Sequence, residues 1–122
     1  MAEKFKSSYD GSNRVLTGLI IPDNIEKEDS KEIYDLIEKS LHEFPDYSDY
    51  ILDASRVSDI KIESFGYLMK ALSIVKRTAG YMILVLQEEV LQKFMLTNPE
   101  MFDYYAVFFN NADALEYILS KR

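Results

Sequence analysis

Six consecutive apolar residues, Tyr81-Met82-Ile83-Leu84-Val85-Leu86, constrain this chain more than any other stretch. A strand without a polar face needs cover on both sides, or a place at a sheet's middle. The rest of the chain must then supply flanking strands and the helices that cover them. No fully apolar stretch of the chain is longer than these six residues, far short of the ~20 residues that span a bilayer as a helix.

Period and punctuation mark those other elements. Phe5–Tyr9 and Val15–Ile21 are β-favouring runs joined by Asp10-Gly11-Ser12-Asn13, a tight-turn signal that predicts an opening hairpin. Ile33, Ile37, Leu41 and Phe44 recur at helical spacing and predict a helix capped by Ser30 and stopped by Pro45. Tyr50-Ile51-Leu52 predicts a short strand ending at Asp53. A second helix is expected from near Ser64 to Ala79, with Gly80 at its C-terminal cap and Phe65, Leu68, Met69, Leu72 and Val75 inward. Glu88–Leu96 reads as a short helix with Val90, Leu91, Phe94 and Met95 inward, broken at Asn98-Pro99. Ala106–Phe109 reads as a strand. Asn111 would cap a last helix, Ala112–Ser120, with Leu115, Ile118 and Leu119 facing the core. The order ββαβαβαβα is an α/β arrangement: a mixed sheet of about five strands with about four helices on it, in a single domain over residues 1–122.

Composition narrows the chemistry. The 122 residues contain no cysteine and one histidine, which excludes disulfides, thiol nucleophiles, cysteine zinc sites and His-rich metal sites. The net charge of −7 disfavours nucleic acid and anionic membranes as partners. The acidity lies in residues 1–63, with 15 acids against 8 bases, and reads as a solvated helix face or as a docking surface for a basic partner. The N-terminus lacks the apolar stretch of a signal peptide, so a cytoplasmic protein is expected. With four glycines, no Gly-x-Gly-x-x-Gly and no phosphate-binding Gly-Lys-Ser/Thr loop are present, nor is any Gly-x-Ser-x-Gly elbow, and no cofactor is implied. Asp53 at a strand end invites comparison with phospho-accepting receiver domains. The acid pair and the late lysine that such domains require are missing, and Asp53 is expected to pin the following loop by accepting backbone N–H bonds.

The informative stretch is Asp59-Ile60-Lys61-Ile62-Glu63-Ser64-Phe65-Gly66-Tyr67-Leu68, which leads into the second helix. Ser64 falls at or next to the helix N-cap. Serine is a good cap, and a phosphate there would meet unpaired N–H groups and the positive end of the helix dipole. Beyond it, Tyr67, Ala71, Ile74 and Thr78 form a second apolar strip, flanked by Lys70, Lys76 and Arg77. A helix with two apolar sides is either deeply buried or set between the sheet and a partner. The acidic first helix and basic second helix would give the domain a bipolar face.

The sequence resembles the STAS domain family, whose best-known members are bacterial anti-sigma factor antagonists. The resemblance rests on Tyr50-Ile51-Leu52-Asp53-Ala54-Ser55-Arg56-Val57, on Ile62-Glu63-Ser64-Phe65-Gly66-Tyr67-Leu68 against the family's Asp-Ser-Ser-Gly-Leu motif, on Ala79-Gly80 before the apolar strand, and on the Phe102–Leu115 tail. It implies a non-enzymatic bacterial partner switch. The unmodified domain would bind a switch kinase or anti-sigma factor, phosphorylation of Ser64 would break the complex, and a phosphatase would restore it. The partner-binding residues implied are Lys61, Glu63, Ser64, Gly66, Tyr67, Lys70, Ala71 and Ile74. Glu63 replaces the usual aspartate and Phe65 the second serine. The alternative is therefore a constitutive accessory subunit of a transport or other complex, with an unphosphorylated motif. An enzyme is a third reading, which would rest on Asp53 or Glu63. The aromatic cluster Phe102, Tyr104, Tyr105, Phe108 and Phe109 reads mostly as core, and any exposed share would suggest a homodimer or a ligand groove.

Overall fold

The apolar run does become an inner strand. The computed structural model describes residues 3–97 and 99–122, apart from the side chains of Ile62, Glu63 and Met101. The opening hairpin is β1 (Phe5–Asp10) against β2 (Val15–Ile20), antiparallel, with Phe5 opposite Ile20. Then β4 (Asp49–Ala54), β6 (Met82–Leu86) and β7 (Tyr105–Phe108) add in parallel, giving the order β1-β2-β4-β6-β7. Every residue of β4 and β6 is buried, as strands covered on both faces require.

Alternation along the strands divides the core in two. Leu16, Ile20, Leu52, Leu84 and Leu86 face α1 (Lys27–Glu43), α2 (Ile62–Leu72) and α3 (Glu88–Thr97). Val15, Ile51, Ile83 and Val85 face α4 (Asn111–Ser120) through Ala114 and Ile118. The result is a mixed α/β sheet between helices, as the element order predicts. No helix among the described residues is long and apolar enough to cross a membrane.

Two strands escape the sequence reading. β3 (Asn24–Ile25) and β5 (Asp59–Ile60) form a separate parallel pair, with Ile25 opposite Ile60. Each immediately precedes a helix, so the pair ties the start of α1 to the start of α2.

Several boundaries also move. α1 begins at Lys27 rather than after Ser30, because the Asp29 carboxylate accepts the N–H of Glu26 at 3.0 Å and holds the first turn. Ser30 sits inside that helix, buried, and donates to the carbonyl of Lys27. In the hairpin turn the left-handed residue is Arg14 (φ 58°) rather than Gly11, while the Asp10 carboxylate gathers the N–H groups of Ser12 and Asn13. α2 ends at Leu72, short of the expected Ala79. Beyond it, the N–H of Lys76 bonds the Tyr47 hydroxyl and Thr78 donates to Asp49, which draws the chain off the helix axis. Ala79 (φ 52°) and Gly80 (φ 88°) then form a two-residue turn closed by Thr78 and Tyr81, so Gly80 caps no helix. α4 is capped by Asn110 rather than Asn111. Met69, Met95 and Leu119 were expected inward and are exposed. Asn98, at the expected break after α3, lies outside the described residues.

Candidate partner-docking surface

The carboxyl ends of the parallel strands carry the loops that begin α2, α3 and α4, and ligands of open α/β sheets gather at such ends. Here the loop after β4 is firmly held. The Asp53 carboxylate accepts the N–H of Ser55 at 3.0 Å, the loop-pinning role expected from the sequence, and Gln87 donates to the carbonyl of Ser55 at 3.0 Å. The carbonyl of Asp23 receives the N–H groups of Ser58 (2.7 Å) and Asp59 (3.2 Å) and the Ser58 hydroxyl (3.0 Å). Lys61 pairs with Glu26 at 2.6 Å and Lys93 with Asp59 at 3.0 Å. The hydrogen bond from Lys93 holds the Asp59 carboxyl below the usual carboxylate range.

Lys61 is the N-cap of α2, so Ser64 stands at the third helical position instead of the cap. Its side chain is fully buried, and its hydroxyl donates to the carbonyl of Ile25 at 3.3 Å. The expected place at the cap, open to a phosphate, is therefore corrected: the hydroxyl lies beneath the carbonyl of Ile25 in β3. Phe65, in the place of the motif's second serine, is core and stacks on Phe94 with ring centroids 4.2 Å apart.

The predicted partner strip is also redistributed. Ala71 and Thr78 are buried, and Ala71 belongs to the same cluster as Ile33 and Ile37 of α1. The second apolar side of α2 thus meets this protein's own α1, and Ala71 is corrected from partner contact to core. Lys70 lies over the Tyr34 ring of α1 at 5.3 Å from its centroid. Lys76 and Arg77 fall beyond the helix end, so the bipolar pair of helix faces does not form as expected. Ile74 is 43% exposed, past the end of α2, and lines an open groove of about 520 Å³ with Tyr34, Leu41, His42 and Tyr47.

What α2 presents outward is Gly66, Met69, Lys70 and Ser73, with Lys61 exposed at its start and Tyr67 partly buried beside them. A side chain added at Gly66 would meet open space. Of the predicted binding residues, Lys61, Gly66, Lys70 and Ile74 are exposed, Tyr67 is partly buried, and the side chain of Glu63 lies outside the described residues. Met69 was missed, although its spacing of three from Gly66 and four from Ser73 marks this outer face.

No family model matches the chain, and no curated protein matches it in sequence. Solved structures do match in fold. An anti-sigma factor antagonist from Mycobacterium paratuberculosis superposes with a TM-score of 0.71 at 12% identity, over 94% of each chain. A protein of Thermotoga maritima assigned as an anti-sigma factor antagonist gives 0.70 at 19% identity, again over 94% of each. The Bacillus cell-fate determinant SpoIIAA in its phosphorylated form gives 0.60 at 12% identity, over 93% of this chain and 98% of that one. The chain has the STAS fold of the anti-sigma factor antagonists.

Proposed function

We propose that this chain is a non-enzymatic, protein-binding regulatory domain of the anti-sigma-factor-antagonist kind, which docks a protein partner through the outer face of α2 and is switched by phosphorylation of Ser64. The observation that carries the docking is the exposed stripe Gly66, Met69 and Lys70 of α2, continued by Ser73 at its C-terminal cap, on a helix that starts at the carboxyl end of the sheet. A bulky or reversed charge there meets the partner and not the domain's own core. Gly66→Glu or Lys70→Glu should therefore weaken partner binding by about tenfold or more, as at other interface centres, while the domain stays folded. Titration of each variant against the captured partner by calorimetry checks this, and unchanged affinity in both would refute the surface.

The switch is supported by the likeness of the Ile62–Leu68 stretch to the family motif and by the shared fold with a protein solved in phosphorylated form. Incubation with the bound switch kinase and ATP, followed by mass spectrometry, tests it. Phosphate on Ser64 with loss of the complex supports it. Phosphate only elsewhere, with Ser64→Ala binding like wild type, ends it. The second reading, a constitutive accessory subunit, keeps the α2 face and drops the modification. It is favoured by the buried Ser64 hydroxyl and by Phe65 in the core.

A further inference from the structure

Ser64 is covered by a strap that belongs to another part of the chain. Its hydroxyl hangs from the carbonyl of Ile25, a residue 39 positions earlier. The strap is held by buried Ile25 against buried Ile60, by the three bonds from Ser58 and Asp59 to the Asp23 carbonyl, and by the Lys61–Glu26 ion pair. We infer that the β3–β5 pair is a latch that governs access to position 64, an inference that rests on the reading of Ser64 as the regulated residue.

With the latch closed, the hydroxyl cannot enter a kinase. Phosphoryl transfer needs the serine oxygen in line with the γ-phosphorus of a nucleoside triphosphate. The new O–P bond forms as the bond to the departing nucleoside diphosphate breaks, and the hydroxyl proton passes to the kinase's base. An oxygen beneath β3 can reach neither group. After transfer the latch cannot close again. The phosphate brings close to two negative charges, and the partner the buried hydroxyl has beneath the strap is a carbonyl oxygen, itself an acceptor. Modification and the closed latch exclude each other. Ile25 is followed directly by Glu26, the N-cap of α1, so an open latch also frees the start of that helix. A change made on α2 is in this way delivered to α1.

The absence of cysteine makes the test direct, because Ser64→Cys creates a unique thiol. Gly66→Cys, on the open face of the same helix, is the reference. With a soluble disulfide reagent, the Ser64→Cys thiol should react at least about a hundredfold more slowly than the Gly66→Cys thiol, since it reacts only through local opening. Adding Ile25→Ala should raise the Ser64→Cys rate by about tenfold or more and leave the Gly66→Cys rate unchanged, because it empties the seat of the strap. Should Ile25→Ala unfold the chain, Glu26→Gln with Ser58→Ala loosens the latch more gently and should raise the rate a few-fold. The inference is overturned if the two thiols react within about threefold of each other, or if the slow rate ignores every latch variant and follows only global unfolding. No kinase or partner enters the assay. Latch-dependent labelling therefore supports the gate whatever phosphate mapping returns, and the phosphorylation reading fails separately, on the absence of phosphate at Ser64.

Discussion

Tyr50 buries its ring in the face of the sheet that α1, α2 and α3 cover, and its hydroxyl finds no hydrogen-bond partner among the described residues. Burial pushes that phenol well above its ordinary value. Gly18 on the neighbouring strand makes the room: a β-carbon would overlap the Tyr50 hydroxyl and come within 2.6 Å of the Phe5 ring. A buried polar atom left unpaired costs free energy that an apolar isostere avoids, so Tyr50→Phe should stabilise the chain by about 1 kcal/mol. A thermal melt should show this as a midpoint raised by roughly 3–5 °C, and a lowered midpoint would refute it. Glycine at position 18 could be noticed in the sequence, but its reason could not, because the crowding atoms arrive from Phe5 and Tyr50. Ser64 shows the same limit. Its nearness to the start of a helix was legible to within a turn, whereas the carbonyl that buries it comes from Ile25. That burial also makes Ser64→Asp a poor imitation of phosphoserine, since a carboxylate there would first have to force the strap open.

Elements set by long patterns were readable, and those set by a few distant bonds were not. β2 and β6 match their β-favouring and apolar runs to within a residue at each end, and in β6 burial on both faces leaves no freedom in the pattern. β3 and β5 have two residues each, too few for any period to appear. α2 keeps its apolar spacing through Val75, yet the chain departs at Leu72, where the bonds that Lys76 and Thr78 donate to Tyr47 and Asp49 outweigh continued helix. The start of α4 can be tested directly. The Asn110 side chain accepts the N–H of Asp113 at 2.8 Å, whereas Asn111 is already helical. Asn110→Ala should therefore cost about 1 kcal/mol and Asn111→Ala much less, measured by urea unfolding. The reverse order would restore the boundary expected from the sequence.

At the scale of the whole molecule, the acid excess of the first half is partly spent in ties between elements. Lys4 reaches Asp29 at 2.9 Å and Glu32 at 2.8 Å, and Lys93 reaches Asp59. Lys4 and Lys93 hold the carboxyls of Asp29 and Asp59 below their usual range, and the Asn13 amide does the same for Asp10. A carboxyl depressed in the folded state contributes stability above its unfolded value of about 3.9, and that contribution is lost as pH falls through the folded values. Unfolding midpoints in urea should thus change little from about pH 7 to 5 and fall steadily below about pH 4. Asp29→Asn together with Asp59→Asn should flatten the fall, and added salt should reduce it, because these carboxylates face water. The early end of α2 has a consequence of its own. Between Leu72 and Met82 the backbone runs outside any helix or main strand, with Lys76, Arg77, Ala79 and Gly80 exposed. Trypsin needs an accessible, extended substrate, so limited digestion should cut after Arg77 before it reaches bonds within helices. The two fragments should then co-elute as one particle, because β6, on the far side of the cut, pairs along its edge with β4 on the near side. A protein severed there would keep its shape while losing only the continuity of its chain.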